Sequence, residues 1–502
     1  MKRKLTLVIV LMLSLVLMSC KKIDTTNVYS PSDELNYGVY NLPTSLLESS
    51  VGINDELLSA LFDGLIYKDS EGNIKPQLSE SYTVSENKLE YTFKIRRDIY
   101  WSNGEKITSK DFVTFFKEFI NNAKSIDDLE ELKSIYGVTD YFNKKENFEK
   151  LVAISSDGEL FKIRLNYKDD KFIDTLTKNK FKIKKDFTKL SSYKDYYKNI
   201  PYSGQYKISS IEESGKLVLE KNPKYYDKEN GEDKINIISY NDNESALASY
   251  ETNKINVMKD PPLSYLPNLI SRNEISQSPS YSNTFISYNS KEDNVFNNSK
   301  LRKDFGEYVK GIMSTEEFKN IIPSNLINDF SSNKGENSDS ISRIEPASSL
   351  MELKSINIVS LNTEYNKEVL KFISEQGKKD NLIIYYRLLS SEELEQEIKN
   401  GKFSVYIGST DNIGDYNKIY NDVLNRIYKD ESLDKKMKEF EGKESKENIV
   451  KYMVKENYCI PLYNKESIIV KKNDIKELNK DFYGNIILSS MVIGEDVSRS
   501  TE

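Results

Sequence analysis

The chain has 502 residues, enough for two or three domains of ordinary size. Its 38% hydrophobic residues, 30% charged residues and net charge of −7 describe a globular protein with a charged surface, and the acidic balance argues against a dedicated nucleic-acid binder. The absence of histidine excludes Ser-His-Asp and Cys-His catalysis, and it leaves no histidine for a zinc site or a general base.

The N-terminus has the pattern of an export signal. A basic segment at 2–4 precedes an apolar run at 5–18, which is shorter than the roughly 20 residues that span a bilayer and fits the apolar core of a signal peptide. The tetrapeptide Leu-Met-Ser-Cys at 17–20 resembles the lipobox of bacterial lipoproteins. That resemblance implies a lipoprotein signal peptide over 1–19 and an acylated Cys20, which would hold the protein on the extracytoplasmic face of the cell membrane, as in Gram-positive bacteria. A plain signal peptide with an incidental cysteine is the alternative.

The segment that follows, 20–36, is polar and has no apolar period, which predicts a lipid-anchored linker. A flexible chain of this length reaches about 20–24 Å r.m.s., so a folded body would sit off the membrane while tethered to it. The other cysteine, Cys459, lies in an apolar run and is interpreted as a buried, inert thiol. The two cysteines therefore do not indicate a disulfide framework.

Local patterns predict helices that alternate with strands. Apolar residues recur at helical spacing within 52–67, and strict alternation over 89–95 predicts a strand with one buried face. Thr108 and Asp111 have the spacing of a capping box at the start of a phenylalanine-rich helix. Further elements are predicted as strands at 160–165, 216–220, 357–360, 381–387 and 403–408, and as helices at 361–378 and 390–400, with Gly377 and Gly401 ending these helices. This alternation predicts α/β lobes.

A long collinear series of segments is recognisable as a family pattern. In chain order the segments are LFDGLIYKDSEGNIKPQLSESYTVSENKLEYTFKIRRDIYWSNGEKITSKDFV, PYSGQYKI, VLEKNPKYYD, TFISYNSKEDNVFNNSKLRKDF, NGKFSVYIG and CIPLYNKESIIVKK. The series resembles the peptide-binding (family 5) extracytoplasmic solute-binding proteins of ABC transporters, such as the oligopeptide-binding proteins. The resemblance covers essentially 52–480.

The resemblance implies an α/β fold that is two-lobed and periplasmic-binding-protein-like (type II, flytrap), with an extra subdomain in the first lobe. Lobe I would hold 37–275, including the subdomain at about 65–178. Lobe II would hold 276–459, and 460–502 would return to lobe I and form the C-terminal tail.

The same resemblance implies a function without chemistry. The protein would be a monomeric substrate-binding lipoprotein that captures oligopeptides in the cleft between the lobes and delivers them to ABC permease and ATPase subunits. It would be no enzyme and would need no cofactor and no metal. The segment 314–349 departs from the family pattern because it is short and rich in Ser and Asn, and the usual helix there is not evident. A non-transport surface lipoprotein or signalling-peptide receptor with a trimmed second lobe is therefore the alternative.

The resemblance places the ligand site in the strand and loop that follow NGKFSVYIG. In the oligopeptide-binding branch this region supplies backbone groups for the peptide, here at Gly408 and Ser409, and an aspartate for the peptide's amine. Matching the family's Asp-Tyr pair selects Asp415, whereas counting from the glycine selects Asp411. Both assignments stay open, and the alternative is that both acids are ordinary solvated loop residues.

Other candidate ligand residues come from their position in the family pattern. An inter-lobe strand would line the site with five residues: Tyr281, Thr284, Phe285, Tyr288 and Asn289. Trp101, in the family's W-S-D-G turn, is also a candidate, although a structural role is favoured there.

Two further features of the sequence bear on an enzyme or a metal-binding function. Ser191 and Lys194 fit the S-x-x-K spacing of penicillin-recognising enzymes, but no K-T-G follows, and chance explains the match in a chain rich in Ser and Lys. Nickel-binding members exist in the same superfamily, but a chain without histidine offers a metal mainly hard oxygen ligands.

Overall fold

The structure is a computed structural model, which describes residues 34–47, 53–144, 147–227, 231–290, 293–328, 330, 344–410, 416–424, 431–440 and 445–494. The predicted signal peptide with Cys20, the loop acids Asp411 and Asp415, and the stretch 331–343 lie outside the described residues. Within the described ranges, no helix is long and apolar enough to cross a membrane.

The described strands are β1 Leu35–Tyr40, β2 Ile66–Lys68, β3 Ile74–Pro76, β4 Ser79–Val84, β5 Glu90–Ile95, β6 Ile154–Asp157, β7 Leu160–Arg164, β8 Tyr206–Ile211, β9 Lys216–Lys221, β10 Lys234–Tyr240, β11 Val257–Lys259, β12 Ile275–Tyr288, β13 Ser324–Leu326, β14 Ile356–Leu361, β15 Ile384–Leu389, β16 Val405–Thr410, β17 Cys459–Lys471, β18 Ile475–Glu477 and β19 Val492–Ile493.

The described α-helices are α1 Ile53–Leu61, α2 Ser109–Asn122, α3 Val138–Lys144, α4 Phe148–Leu151, α5 Phe172–Leu176, α6 Phe187–Ser191, α7 Tyr193–Tyr196, α8 Asn243–Glu251, α9 Leu266–Ser271, α10 Ser299–Met313, α11 Glu316–Ile321, α12 Ser348–Met351, α13 Glu364–Lys379, α14 Ser391–Asn400, α15 Tyr416–Leu424, α16 Glu431–Phe440 and α17 Lys446–Lys455. Short 3-10 helices lie at Ile126–Leu132, Asn179–Phe181, Tyr197–Asn199, Leu263–Tyr265, Val295–Asn297 and Leu488–Ser490.

One sheet runs through both lobes. Its strand order is β15-β14-β16-β12-β17-β11-β1-β10-β9-β8, and β13 pairs with β17 off this path. The lobe I strands β10, β1 and β11 are parallel to one another, and so are the lobe II strands β15, β14 and β16. The two long strands β12 and β17 are antiparallel and cross from one lobe to the other. The two-lobed α/β fold expected from the sequence is confirmed.

A second sheet forms the inserted part of lobe I. Its order is β4-β5-β7-β6, and α2 packs on it. The capping box predicted at the start of α2 is confirmed, because the Asp111 carboxylate accepts from the Thr108 N–H at 2.8 Å. The aromatic face of α2 lies on this sheet, with the rings of Phe116 and Phe161 stacked 5.8 Å apart.

The apolar core falls into three clusters. The first fills lobe I and its inserted sheet, around residues such as Leu57, Phe93 and Ile237. The other two cover opposite faces of the lobe II sheet: successive strand residues Phe285 and Ile286 point into different clusters, as the period of two in a strand requires. A sheet covered on both faces explains the continuous apolar runs of the lobe II strands.

Several predicted boundaries are wrong. Strand β1 begins at Leu35, so the predicted linker 20–36 is too long at its C-terminal end. The helix predicted from 361 begins at Glu364, because Leu361 still belongs to β14 and Thr363 is the N-cap. Gly401 ends α14 in the left-handed region with φ 63°, as predicted.

Gly377 does not end its helix, which continues to Lys379. A Cβ at this position would lie 2.7 Å from the Ile384 side chain. This glycine is therefore explained by the close approach of α13 to β15. The helix stops three residues later, at Asp380, and the next residue, Asn381, adopts φ 60°.

Candidate functional site

The directions of the parallel strands locate the candidate site. In α/β sheets, ligands bind outside the carboxyl ends of the parallel strands. In lobe I, β11 ends at Lys259, which lies opposite Ile469 near the C-terminal end of β17, and β11 points from there towards the middle of β17. In lobe II, β16 ends at Thr410, which lies opposite Asn283 in the middle part of β12. Both carboxyl edges therefore face the crossing segment of β12 and β17.

The pairing of the crossing strands is irregular where the lobes meet. Pro279 pairs with Glu466 and Asn283 pairs with Asn464, so three residues of β12 face the single residue Lys465 of β17. Such a bulge bends a strand and interrupts its ladder, and bulges are common next to functional sites. The predicted ligand residue Tyr281 lies in this bulge, but its side chain is outside what the structure describes.

The end of β16 has an open edge. In the described part of the chain, the register of β16 with β14 ends at Tyr406. Among the described residues, the strand pairing of Gly408, Ser409 and Thr410 is with β12, on the other side. Ser409 is exposed, whereas its neighbours on β16 are buried. An unpaired strand edge at the lobe junction can accept an extended chain by strand addition.

Unpartnered buried polar atoms lie beside this edge. Asn283 is fully buried and Thr410 is 1% exposed. The two residues lie directly opposite each other on β12 and β16. Both amide atoms of Asn283 and the hydroxyl of Thr410 lack a hydrogen-bond partner in the described structure. An unpaired buried polar group costs about 1–3 kcal/mol, so such a group indicates a missing partner.

The lobe I side of the junction is charged. The Glu56 carboxylate is fully buried and accepts from the Lys259 ammonium at 3.0 Å, from the Tyr37 hydroxyl at 2.8 Å and from the Ile486 N–H at 3.2 Å. Burial alone lowers the pKa of Lys259, but the carboxylates of Glu56 and Asp260 outweigh that effect and raise it above its ordinary value. This pair fixes α1 against the carboxyl end of β11.

Further cations lie next to this pair. The ammonium of Lys465 lies 3.8 Å from the Asp260 carboxylate and 3.5 Å from the centre of the Tyr365 ring. Lys480 donates to the Ser276 hydroxyl at 3.1 Å. Burial and the nearby charge of Lys259 lower the pKa of Lys480 to about 8. The lobe I wall therefore carries charges of both signs, whereas the lobe II wall is neutral at Asn283 and Thr410.

The lobes also touch away from the crossing strands. Lys171, the N-cap residue of α5 in the inserted part of lobe I, forms an ion pair with Glu447 on α17 of lobe II at 3.0 Å. The same ammonium lies 5.6 Å from the centre of the Tyr416 ring, at the start of α15. The pair must break if the lobes separate.

The side chains of the other predicted ligand residues are buried or hydrogen-bonded within the protein. Thr284 is buried and its hydroxyl is hydrogen-bonded with the Tyr463 side chain. Phe285 is buried in the third cluster. The Tyr288 hydroxyl donates to the Arg302 carbonyl at 2.7 Å. The Asn289 amide donates to two carbonyls, each at 2.8 Å, within lobe II. These contacts give the side chains of Tyr288 and Asn289 a role in lobe II packing.

Trp101 lies in lobe I and is fully buried in the first cluster, with the Lys185 ammonium 4.8 Å from its ring centre. This position agrees with the structural role favoured from sequence. The Ser191 hydroxyl of the S-x-x-K match donates to the Thr188 carbonyl at 2.8 Å, a local contact within its own helix.

Sequence reasoning missed Asn283, Thr410 and the Glu56–Lys259 pair. The sequence did contain a pattern that could have indicated Asn283, because this residue is polar and lies at an inward position of a strand that continues as Thr-Phe-Ile. Thr410 immediately precedes the predicted loop acid Asp411, and nothing in the sequence separates it from the other hydroxyl residues there.

Two α/β lobes that share crossing strands are the fold of the two-lobed periplasmic-binding-protein class. Residues 73–304 match the model of the bacterial extracellular solute-binding proteins, family 5 (middle). Over this segment, a little under half of the chain, the sequence is similar to that family, in agreement with the resemblance seen in its sequence pattern.

Two streptococcal proteins are similar in sequence. The oligopeptide-binding protein SarA of Streptococcus gordonii is 29% identical over 40% of this chain and 32% of its own length. The oligopeptide-binding protein AliB of Streptococcus pneumoniae is 30% identical over 41% of this chain and 33% of its own length. The matched part of the chain thus spans about a third of the length of each relative. The crystal structure of Haemophilus influenzae OppA in complex with the peptide RPPGFSPFR superposes with a TM-score of 0.66 at 15% identity, covering 92% of this chain and 100% of that one.

Proposed function

We propose that this protein is the substrate-binding lipoprotein of an ABC importer, which captures oligopeptides between its lobes and delivers them to a membrane permease with its ATPase. It performs no chemistry on the ligand. The names of the streptococcal relatives and the peptide held by the Haemophilus influenzae protein support peptides as the ligand class.

The observation that carries the proposal is the open edge of β16 at Gly408–Thr410, which faces the junction of the lobes. Main-chain hydrogen bonds to such an edge bind any extended peptide without reading its side chains. Closure of the lobes then adds contacts from lobe I. Ligand shifts the open–closed equilibrium only by the contacts that it makes better in the closed state.

The register of the peptide needs a fixed end. An aspartate in the loop after β16, Asp411 or Asp415, pairs with the ligand's α-ammonium in this proposal, because a buried ammonium without a counter-charge is costly. The test replaces each by Asn and titrates a peptide and its N-acetylated form. Selective weakening for the free-amine peptide in one variant identifies the residue, and equal effects on both peptides refute the assignment.

The main experiment is mass spectrometry of small molecules retained by the folded body, beginning after Cys20 and purified without denaturant. A mixture of short peptides is the expected result. One recurring peptide would instead identify a signalling-peptide receptor. A sugar or a metal chelate would refute peptide binding, and so would an empty protein that does not respond to a peptide library.

The membrane anchor is a separate part of the proposal. Acylation of Cys20 is expected to place the protein in the membrane fraction of the producing bacterium, and Cys20→Ser is expected to release it. Several acyl chains on one residue hold a protein stably, whereas a single chain does not. An unmodified Cys20 in the mass spectrum of the mature N-terminal peptide would refute the anchor.

A further inference from the structure

The strongest unexplained feature of the described residues is a pair of buried polar side chains with nothing to bind. Asn283 and Thr410 lie opposite each other on β12 and β16, with 0% and 1% exposure. Three of their polar atoms, Nδ2 and Oδ1 of Asn283 and Oγ1 of Thr410, have no partner in the described structure. Buried polar side-chain atoms are hydrogen-bonded in the large majority of cases. Three such atoms on two directly paired residues therefore indicate a common missing partner.

The chemistry of the pair limits what that partner is. The Asn283 carboxamide offers donors and an acceptor on one planar group, and the Thr410 hydroxyl can donate or accept. Neither side chain is charged, so an ionised group bound here would lose its hydration without gaining a counter-charge. An amide group, which has one N–H or NH₂ and one C=O, matches the set.

The position of the pair points to the ligand as the source of that amide. Thr410 is the last residue of β16 and lies at the open edge formed with Gly408 and Ser409. Asn283 closes the β12 bulge that begins after Pro279. A peptide laid along the open edge lies beside Thr410, whereas Asn283 lies one strand further on, across β16, where a ligand side chain that crosses the face of β16 can reach it.

We propose that Asn283 and Thr410 form a subsite for one uncharged amide group of the bound ligand. This inference rests on the proposed peptide-binding function and adds a side-chain contact to the main-chain edge. The amide is the carboxamide of a ligand side chain, because a peptide bond of a strand added at the open edge would lie two strand spacings, roughly 10 Å, from β12.

The test uses Asn283→Leu, which keeps a similar volume and removes the polar atoms. Because these atoms are unpaired in the free protein, the variant is expected to raise the unfolding temperature without ligand. It is expected to weaken ligand binding about 10- to 100-fold, because the ligand's amide loses its partners and is left unsatisfied. A residue that merely held the scaffold would lower the unfolding temperature instead.

The matched control is Asn222→Leu in lobe I. Asn222 is also buried, but its amide donates to the Gly204 carbonyl and its oxygen accepts from the Lys224 N–H, both at 3.0 Å. This variant is expected to lower the unfolding temperature and to leave the affinity unchanged. Thr410→Val serves as a second variant of the subsite and is expected to weaken binding in the same direction as Asn283→Leu.

Binding is measured by titration calorimetry with an all-alanine peptide and with the same peptide carrying one glutamine. A loss confined to the glutamine peptide is the expected result, and an equal loss for both peptides would refute the side-chain carboxamide. If the wild-type protein binds peptides but Asn283→Leu binds them equally well, or loses stability as the control does, the subsite is refuted and the proposed function stands. If the wild-type protein binds neither these peptides nor a peptide library, both proposals fail.

Discussion

The ion pair between Lys171 and Glu447 is expected to favour the closed state of the lobes. Its two charges lie 3.0 Å apart on opposite lobes, with side-chain exposures of 67% and 31%. Exposed pairs of this kind contribute about 0.2–1 kcal/mol. The ring of Tyr416 adds little, because the Lys451 ammonium, 5.9 Å from its centre, interacts with the same ring. About 1 kcal/mol is therefore the upper estimate for the pair, which corresponds to roughly a fivefold shift in the equilibrium between open and closed lobes.

Lys171→Ala is accordingly expected to weaken ligand binding about 1.4- to fivefold, mainly through faster dissociation. In a double-mutant cycle with Glu447→Ala, the coupling energy should lie near 0.2–1 kcal/mol and should shrink as salt rises from about 0.05 to 0.5 M. Titration calorimetry gives the affinities, and small-angle scattering of the ligand-free variants tests whether the open state is more populated.

The control is Lys168→Ala. Lys168 lies on the same surface and pairs with Asp170 at 3.1 Å, but that ion pair stays within lobe I. Its removal should change neither affinity nor scattering. A coupling energy of zero between Lys171 and Glu447, or an equal effect of the Lys168 variant, would show that the cross-lobe pair does not contribute to closure.

Three further predictions concern stability, each measured by urea unfolding. Arg302→Met leaves four backbone carbonyls in lobe II without their buried donor and should cost about 3–5 kcal/mol, so a loss below 1 kcal/mol would contradict it. Glu56→Gln removes the counter-charge of Lys259 and should cost a similar amount, about 3–5 kcal/mol, with little change expected from a neutral substitution of the exposed Glu86 as control. Burial lowers the pKa of Lys184 to about 7, so between pH 7 and about 10.4 the native state has lost a proton that the unfolded chain retains. In this range the Lys184 ammonium makes the free energy of unfolding rise with pH. Lys184→Met should flatten that rise, and an unchanged dependence of stability on pH would refute the low pKa of Lys184.

The fold was predictable where local chemistry and tertiary structure agree. The capping box of Thr108 and Asp111 depends on residues three apart, and the apolar alternation in β5 depends on its own sequence. Gly377 shows where such reasoning fails. Local propensity favours the end of a helix at a glycine. Gly377 instead lies inside α13, because the helix approaches Ile384 closely there, and this contact forms only in the folded lobe.

The candidate site lies in the region that the sequence predicts, and the ligand roles of the residues there stay predictions. The family pattern led to β16 and its loop, and Gly408 and Ser409 do lie at the junction edge. The unpaired state of Asn283 depends on the register of β12 with β16, whose residues lie more than a hundred positions further along the chain. No property of the residues around Asn283 fixes that register. The sequence alone therefore predicts a polar residue in a strand, but it does not predict that the side chains of Asn283 and Thr410 lack hydrogen-bond partners in the described structure.

The different chemistry of the two lobe walls has a consequence for closure. A peptide paired only with the neutral edge of β16 makes the same contacts whether the lobes are open or closed, and such contacts add affinity without shifting the equilibrium. The shift must come from contacts to lobe I, where Lys259, Asp260 and Lys465 supply charges of both signs at the carboxyl edge. The ligand groups that meet these lobe I charges therefore determine how strongly the closed state is favoured, whereas its main chain and the amine proposed to pair with the loop aspartate determine how well it is held by lobe II. Because the Lys171–Glu447 pair is weak and exposed, it adjusts this balance by only a few-fold, so under the proposed function closure of the lobes depends chiefly on the ligand.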